Sequence, residues 1–385
     1  MLKYPNIDNN NNNPIYTNEL PNYVSALPCN DLPFLIEKNN WQSVDNFVDA
    51  DVIPIYLKNR NEHIPQIDYL KRIGIKEHQV LLAMLLYDDT ETYDFTSLFN
   101  DFKSALREHS NYRVILVHNN KSLFKHCINP CENIYYDHMW NRTKAYYTDY
   151  DNVRPDGKIY TYSATKKSWQ LNPIHKKENC KVFLTPNRIF PFISPRLAYR
   201  KLLKHYLKDK NGYMSDPTNG VILETEENDL LVSWNDRNHY GGGHWWPLAN
   251  KYYETSFVSI LVETITTSNT NNYYIQNHWT AISEKCYDPL IKGHFLLPFG
   301  YKGIIKDLRD MGFIFPTFIN YEYDNVLEDN FRFADFIEEV NRLTSISVSD
   351  WDNYFTQHKE MLEHNRNVFF TRPYSPFYDE LRKIL

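Results

Sequence analysis

The segment Ile282–Phe313, ISEKCYDPLIKGHFLLPFGYKGIIKDLRDMGF, decides the fold because it joins a helix to a buried strand. Ser283 is a good helix N-cap, and Gly293 is suited to end the helix that follows it. The apolar run HFLLPF (294–299) then has the character of a strand. Pro289 costs about 3 kcal/mol inside a helix unless the bend is useful, which favours a functional segment.

The second half of the chain alternates strand-like and helix-like segments around this stretch. Short apolar runs predict strands, and apolar residues at helical spacing predict helices. Strand-like runs are KVFLTPNR (181–188), VILE (221–224), LLVSW (230–234) and FVSILV (257–262); helical patterns are PRLAYRKLLKHYLKD (195–209), FADFIEEVNRL (333–343) and WDNYFTQHKEMLEHNRNVFF (351–370). The strand, turn and helix at its start are typical of the opening of a nucleotide-binding α/β unit.

The first half shows the same alternation, so the sequence predicts the α/β fold class throughout. Its apolar runs are VIPIYL (52–57), QVLLAMLLY (79–87), YRVILVH (112–118) and NIYY (133–136), with a helical pattern at 95–109. Buried strands separated by helices favour a parallel sheet covered on both faces.

A length of 385 residues suits two domains of moderate size. Residues 151–178 contain Pro, Gly, Ser and charges without a sustained period, which indicates a domain boundary. We predict a low-complexity lead-in (1–20), an N-terminal domain (21–170), a second domain of the nucleotide-binding α/β type (171–345) and C-terminal helices (346–385) that return toward the N-terminal domain.

Composition narrows the class of protein. Hydrophobic residues make up 42% and charged residues 23%, which is typical of a globular chain, and the formal charge of −6 provides no field that would attract nucleic acid. The five cysteines are odd in number and scattered, which favours a reducing compartment. Without an apolar run long enough to span a bilayer, or the h-region of a signal peptide, we expect a cytoplasmic protein, in the host cytoplasm if it is viral.

The start of the predicted helix carries the candidate binding chemistry. A helix N-terminus offers unpaired N–H groups and the positive end of a dipole, which suit a diphosphate. Lys285 in the first turn opposes the dipole unless an anion lies nearby, whereas Glu284 would accept hydrogen bonds from ribose hydroxyls. The alternative is that Glu284 merely compensates the dipole and that Lys285 is exposed to solvent.

Several motifs resemble those of GT-B glycosyltransferases related to the fucosyltransferase (family 10) and exostosin-like groups. They are SEK (283–285), DP (288–289), KGHFLLPFG (292–300) and IKDLRDMGF (305–313), with weaker matches in KVFLTPNR, FVSILVET and LEHNRNVFF (362–370). The resemblance implies two Rossmann-like domains with a cleft between them. It also implies transfer of a sugar from a GDP- or UDP-sugar to an oligosaccharide or glycoconjugate, without a required cofactor, in a viral or bacterial glycosylation system.

The resemblance also assigns roles to individual residues. Glu284 would hold the ribose, while Lys285 and Arg188 would neutralise the diphosphate as it leaves. Glu263 would lie near the nucleotide, and Arg200 matches the basic residue of the first helix of that domain, although it could equally be an exposed helix arginine.

Two positions depart from the family pattern and put the identity of the donor in doubt. Asp288 stands where the family often has a basic residue, and His294 stands where it often has proline. Neither the base nor the sugar of the donor follows from the remaining residues.

The predicted reaction needs no metal, because fixed cations can stabilise a departing nucleoside diphosphate. The acceptor hydroxyl needs a general base, and Asp137 is the candidate because it follows the strand-like NIYY (133–136). Asp137 could instead cap the next helix. Resemblance to the fucosyltransferases implies a single displacement that inverts the anomeric centre.

Two other classes of protein are compatible with the sequence. A metal-dependent GT-A transferase would use a DxD motif, and DAD (49–51), DYD (149–151) and DWD (350–352) have that spacing. A non-catalytic carbohydrate-binding protein could keep the nucleotide fold. The loop HYGGGHWW (239–246) contains two histidines but no clear third metal ligand, so packing or sugar stacking is the preferred interpretation.

Overall fold

The computed structural model forms two compact units. The first consists of Met1–Arg142, Asn271–Trp279 and Tyr374–Leu385, and the second of Thr143–Thr270 and Thr280–Pro373. The structure describes residues 3–5, 42–44, 49–56, 79–85, 113–118, 132–135, 140, 174, 176, 178–186, 195–216, 221–224, 230–232, 250–263, 282–373 and 383. The predicted helix at 95–109, the loop 239–246 and the 151–173 part of the predicted boundary lie outside these residues.

The first unit contains a parallel sheet built from the apolar runs of the N-terminal half. Its four strands lie side by side in chain order, each parallel to the next. A separate parallel pair comprises the first two strands of the chain. The strands are β1 (Lys3–Pro5), β2 (Gln42–Val44), β3 (Val52–Tyr56), β4 (Val80–Leu85), β5 (Arg113–His118) and β6 (Glu132–Tyr135).

The second unit contains a sheet of six strands. They are β7 (Lys181–Thr185), β8 (Gly212–Asp216), β9 (Val221–Glu224), β10 (Leu230–Val232), β11 (Ser256–Val262) and β12 (Phe295–Phe299). The order across the sheet is β10-β9-β8-β7-β11-β12; β8, β7, β11 and β12 are parallel, whereas β9 and β10 pair antiparallel at one edge. The predicted α/β class with parallel strands is therefore confirmed. Strand β8 was not predicted, because GYMSD has no apolar run.

Seven helices belong to the described part of the second unit. They are α1 (Pro195–Leu207), α2 (Asn250–Glu254), α3 (Glu284–Lys292), α4 (Ile304–Asp310), α5 (Asp329–Thr344), α6 (Val348–Gln357) and α7 (Lys359–Thr371), with a 3₁₀ turn at Glu322–Asn325. The helical pattern at 351–370 is divided at His358 between α6 and α7. Both helices lie in the second unit, while Tyr374–Leu385 is grouped with the first.

The core of the second unit forms around two adjacent apolar strands, β11 and β12, at one side of its described sheet. Every residue of β11 and β12 is buried, as expected for strands covered on both faces. The ring of Trp351 from α6 stacks on Phe257 of β11, with centroids 6.1 Å apart, and lies 5.7 Å from the ring of Phe295 of β12. Helix α6 thus covers the start of both strands.

Helix α7 is hydrogen-bonded to two other segments of the second unit, one at the end of α3 and one after α4. Asn365 is buried and its amide both accepts from Ile314 N and donates to Ile314 O, each at 2.8 Å. The neighbouring Arg366 donates from Nε to Ile291 O at 2.7 Å, near the end of α3. His364 Nε2 also lies 3.1 Å from Gly312 O, so the segments 305–313 and 362–370, which share the family resemblance, are neighbours in the fold.

A lysine lies beneath the amino-terminal end of β11. Lys176 donates from Nζ to Tyr253 O at 2.7 Å, and the ammonium is 5.7 Å and 5.0 Å from the ring centroids of Phe257 and Phe355. Burial lowers the pKa of Lys176 from 10.5 to about 7, and nearby acidic groups only partly oppose this. The charged form of this lysine is therefore disfavoured in the folded protein.

We predict that replacing Lys176 by Met changes how stability depends on pH. Between about pH 7 and 10.5 the unfolded chain binds more protons at this lysine than the folded chain, so the free energy of unfolding of the wild type rises with pH. Lys176→Met removes this slope, and its stability relative to wild type should be greater at pH 7 than at pH 10 in urea titrations. Lys201→Met, at an exposed position on α1, is the control. Equal pH dependence in both variants would contradict the assignment.

Candidate functional site

The strand order of the second unit creates a switch point between β7 and β11. From β7, the chain continues to β8 on one side, and later returns to place β11 and β12 on the other side. In open α/β sheets, ligands bind outside the carboxyl ends of the strands at such a point. Helix α3 connects β11 to the parallel strand β12, so its first turn lies at this carboxyl edge.

Glu263 directly follows β11 and is fully buried. Its backbone N–H donates to Phe299 O at 2.8 Å, which continues the pairing between β11 and β12. Its carboxylate accepts from Ser283 N at 3.1 Å and from Ser283 Oγ at 2.6 Å. The residue predicted to lie near the nucleotide thus joins the end of a strand to the beginning of α3.

Ser283 is the N-cap of α3, as the sequence predicts. Its backbone is extended, with φ −88° and ψ 172°, and its hydroxyl accepts from Lys285 N at 3.3 Å. Ser283 O accepts from Cys286 N at 3.1 Å. The expectation that this turn offers unpaired backbone N–H groups is therefore wrong for Lys285 and Cys286, because both donors have acceptors within the protein.

The end of α3 also follows the sequence prediction. Gly293 adopts the left-handed conformation, with φ 75° and ψ 41°, and the helix continues through Pro289. The carbonyl oxygen of Pro289 accepts from the N–H groups of Gly293 and His294. Although Pro289 has no backbone N–H to donate, its carbonyl oxygen therefore helps to end α3 at the C-terminus.

Lys285 supplies a cation at the first turn of α3. It is half-buried, and its Nζ is 3.4 Å from Ser283 Oγ. Glu284 is the first residue of the helix, but its side chain lies outside the described part of the structure. Any contribution of this turn to anion binding therefore depends on the lysine ammonium and the helix dipole more than on free backbone donors.

Arg200 brings a second cation toward the same edge. This α1 residue is buried, so the alternative of an exposed helix arginine is wrong. The guanidinium donates from one terminal nitrogen to Val262 O at 3.0 Å, next to Glu263. The structure thus places Arg200, Glu263, Ser283 and Lys285 around the carboxyl end of β11.

The N-terminus of α4 lies at the same edge but is closed by a carboxylate that the sequence did not indicate. Asp324 accepts from Gly303 N at 3.2 Å and from Ile305 N at 2.9 Å. Burial raises the pKa of Asp324, against the opposing effect of these hydrogen bonds and of Arg332. Gly303 has φ 90°, which suits glycine, and lets the chain enter the helix in this geometry. An internal acid therefore takes the place of a bound anion at α4.

Arg332, which the sequence also did not indicate, stabilises this second helix start. The buried guanidinium donates to Gly300 O at 2.6 Å and to Asp329 Oδ1 at 3.0 Å, and it lies 4.3 Å from the ring centroid of Phe299. Asp329 is three residues away on the same helix, but Gly300 and Phe299 are distant in sequence, so spacing alone could not identify these two partners.

Two predicted catalytic residues, Arg188 and Asp137, lie outside the described residues. The strands that precede them are present: β7 ends at Thr185, and β6 ends at Tyr135. Both residues therefore follow the carboxyl ends of parallel strands in their own units. Their proposed roles stay predictions.

The two departures from the family pattern lie away from the first turn of α3. Asp288 is buried in the middle of the helix. His294 precedes β12 at the amino-terminal edge, where its Nδ1 is 2.9 Å from Ser259 Oγ and its Nε2 is 2.9 Å from Tyr253 O. Burial lowers the pKa of His294 well below its usual range. His294 therefore makes buried hydrogen bonds in the core, at the edge of the sheet opposite Ser283.

Two of the three DxD motifs fall at positions with local structural roles. DWD (350–352) is in the first turn of α6, where Asp350 N donates to Ser347 Oγ and the hydroxyl donates to the Asp350 carboxylate. DAD (49–51) precedes β3 at its amino end. DYD (149–151) and the histidines at 239 and 244 lie outside the described residues. Among the residues that are described, no group of three or more His, Cys, Asp or Glu side chains could hold a metal ion.

We predict that Ser283→Ala costs more stability than the loss of an ordinary helix cap. Removing the hydroxyl loses the cap, worth about 1 kcal/mol, and one hydrogen bond to a buried carboxylate, worth about 1.5–3 kcal/mol. The matched control is Ser347→Ala, because Ser347 caps α6 at an exposed position and should cost about 0.5–1 kcal/mol. Urea unfolding at neutral pH measures both. Equal costs would contradict the coupling between Ser283 and Glu263.

Comparisons with known proteins add no relative from which function could be carried over. No family model matches the sequence, and neither the curated proteins nor the solved structures include a significant match. In the described part of the chain, no helix is long and apolar enough to cross a membrane.

Proposed function

We propose that this protein is a glycosyltransferase of GT-B architecture, with two Rossmann-like domains, that transfers a sugar from a nucleoside-diphosphate sugar to a hydroxyl of a glycan or glycoconjugate. The observation that carries the proposal is the position of Lys285 and α3 at the carboxyl edge of the sheet, beside the switch point between β7 and β11. Nucleotides are recognised at such edges in α/β proteins. The motif resemblance at 283–313 supports the more specific assignment to sugar transfer.

The described cations suit a reaction in which negative charge develops on a leaving diphosphate. Lys285 is at the start of α3, where the positive end of the helix dipole adds to its charge. Arg188, which follows β7 in the sequence, would be the second cation. Fixed cations of this kind can stabilise the leaving group without a metal ion.

The proposed chemistry is a single displacement. The acceptor oxygen forms a bond to the anomeric carbon while the bond from that carbon to the diphosphate oxygen breaks, which inverts the centre. Asp137 would take the proton of the acceptor hydroxyl as general base. Glu284 would accept hydrogen bonds from the ribose and fix the orientation of the donor.

We predict that Glu284→Ala weakens binding of nucleoside diphosphates by about tenfold, the size expected for loss of a hydrogen bond to a charged group. Calorimetry with GDP, UDP, ADP and dTDP measures the effect and shows which base is preferred. Glu360→Ala is the matched control, because Glu360 is also a first-turn acid but lies on α7, so its loss should leave the affinity for nucleoside diphosphates unchanged. If both variants bind like wild type, Glu284 has no role in nucleotide binding.

The metal-independent reaction is tested with EDTA. We expect the rate of transfer from GDP- or UDP-sugars to be unchanged after chelation, because Lys285 and Arg188 replace the metal in stabilising the diphosphate. Release of nucleoside diphosphate, measured with and without acceptor, separates transfer from donor hydrolysis. Activity that is lost in EDTA and restored by Mn²⁺ would instead favour the metal-dependent GT-A alternative.

A further inference from the structure

We infer that Glu263 is a positioning residue, which holds Ser283 and through it the cation Lys285 in the geometry needed for a diphosphate. The inference rests on the proposed function, in which Lys285 contacts the leaving diphosphate. It gives Glu263 a different task from direct contact with the nucleotide.

Contacts of the Glu263 backbone and side-chain stem restrict the position of the carboxylate, in addition to its bonds with Ser283. Glu263 lies at the end of a fully buried strand, and its N–H is bonded to Phe299 O at 2.8 Å. Gly300 lies beside its side chain: a Cβ at Gly300 would be 3.4 Å from Cβ and 3.5 Å from Cγ of Glu263. The Glu263 side chain thus begins at the end of a buried strand, and Gly300 packs against its Cβ and Cγ atoms.

Both carboxylate oxygens are directed at one residue. Oε1 accepts from Ser283 N at 3.1 Å, and Oε2 accepts from Ser283 Oγ at 2.6 Å. A buried carboxylate requires such donors, because burying a charge without hydrogen bonds is costly. The two bonds connect residues twenty positions apart and define where α3 begins.

The bond to Oε2 also sets the direction of the serine hydroxyl. A hydroxyl has one proton to donate, and here that proton points to Glu263. Its lone pairs then face Lys285, whose backbone N and Nζ are 3.3 Å and 3.4 Å from Oγ. The order of donors is therefore lysine to serine to carboxylate, and the ammonium is held at the first turn by a hydroxyl that cannot rotate freely.

An isosteric amide would reverse this order. In Glu263→Gln, one oxygen is replaced by an NH₂ group, which can only donate. If the NH₂ group faces Ser283 Oγ, the hydroxyl accepts from the amide and its proton turns away, toward the side where Lys285 lies. If the NH₂ group faces Ser283 N, two donors oppose each other. Either orientation disturbs Ser283 without changing the volume of the side chain, and the first also turns the hydroxyl proton toward Lys285.

The experiment compares Glu263→Gln with Asn365→Ala. Asn365 is buried on α7, where its amide pairs with Ile314, so its loss destabilises the same unit without altering the first turn of α3. Amide hydrogen exchange is measured in the free protein, and calorimetry gives the affinities of GDP, UDP, ADP and dTDP and of the corresponding monophosphates.

For Glu263→Gln we expect faster exchange at Ser283 and Lys285 and about tenfold weaker binding of the preferred diphosphate. The monophosphate, which has one phosphate fewer to contact the lysine, should lose less affinity. Asn365→Ala should keep the wild-type affinities. A general loss of stability would not change the ratio of diphosphate to monophosphate affinity.

Ser283→Gly provides a second route if Glu263→Gln does not fold, because glycine is accepted at helix N-caps and keeps the backbone N–H that bonds Glu263 Oε1. It removes the hydroxyl that transmits the effect and should lower the affinity ratio in the same way. Diphosphate binding by either variant at the wild-type affinity would overturn the positioning role alone. If the wild type binds none of the four diphosphates, the proposed function fails, and the inference that rests on it fails too.

Discussion

The buried carboxylate of Glu263 is the constraint on which the geometry of the site depends. A buried carboxylate at the end of β11 requires hydrogen-bond donors, and Ser283 supplies both its N–H and its hydroxyl. Because Glu263 is also paired with β12 through Phe299, one residue joins a strand, its neighbour and the beginning of α3. Helix α3 therefore starts at a fixed point on the carboxyl edge of the sheet, and Lys285, in its first turn, lies at that edge too.

The two edges of the second sheet have different roles as a consequence. The amino-terminal edge is filled by internal contacts: Lys176 and His294 both bond to Tyr253 O, and the pKa of each is lowered by burial. At the carboxyl edge, Asp324 already occupies the start of α4. Among the described helices that follow β11 and β12, α4 has its Gly303 and Ile305 N–H groups bonded to Asp324 and its first-turn Lys306 paired with Asp310. At α3, the buried carboxylate of Glu263 instead bonds to the N-cap Ser283, and Lys285 follows in the first turn. This difference is the reason for placing the donor at α3.

Local sequence patterns predict much of the fold, but they do not predict the contacts between residues that are distant in sequence. Apolar runs predict β3–β7 and β9–β12, and Ser283 and Gly293 predict both ends of α3. Strand β8 lacks such a run and is recruited by pairing with β7. The sequence likewise indicates Glu263 and Ser283 separately, but their mutual hydrogen bonds depend on the tertiary fold. The Glu263 carboxylate pairs the N–H of the N-cap Ser283, and Ser283 itself accepts from Lys285 N and Cys286 N, so the start of α3 has fewer unpaired donors than its sequence suggests.

A crystal structure with the nucleoside diphosphate that binds best tests the central claim most directly. The account predicts the diphosphate at the carboxyl ends of β7 and β11, with a phosphate oxygen within hydrogen-bonding distance, about 3 Å, of Lys285 Nζ. It also predicts that the bonds between Glu263 and Ser283 persist in the complex. A nucleotide bound elsewhere on the chain, or at this edge without contact to Lys285, would contradict it.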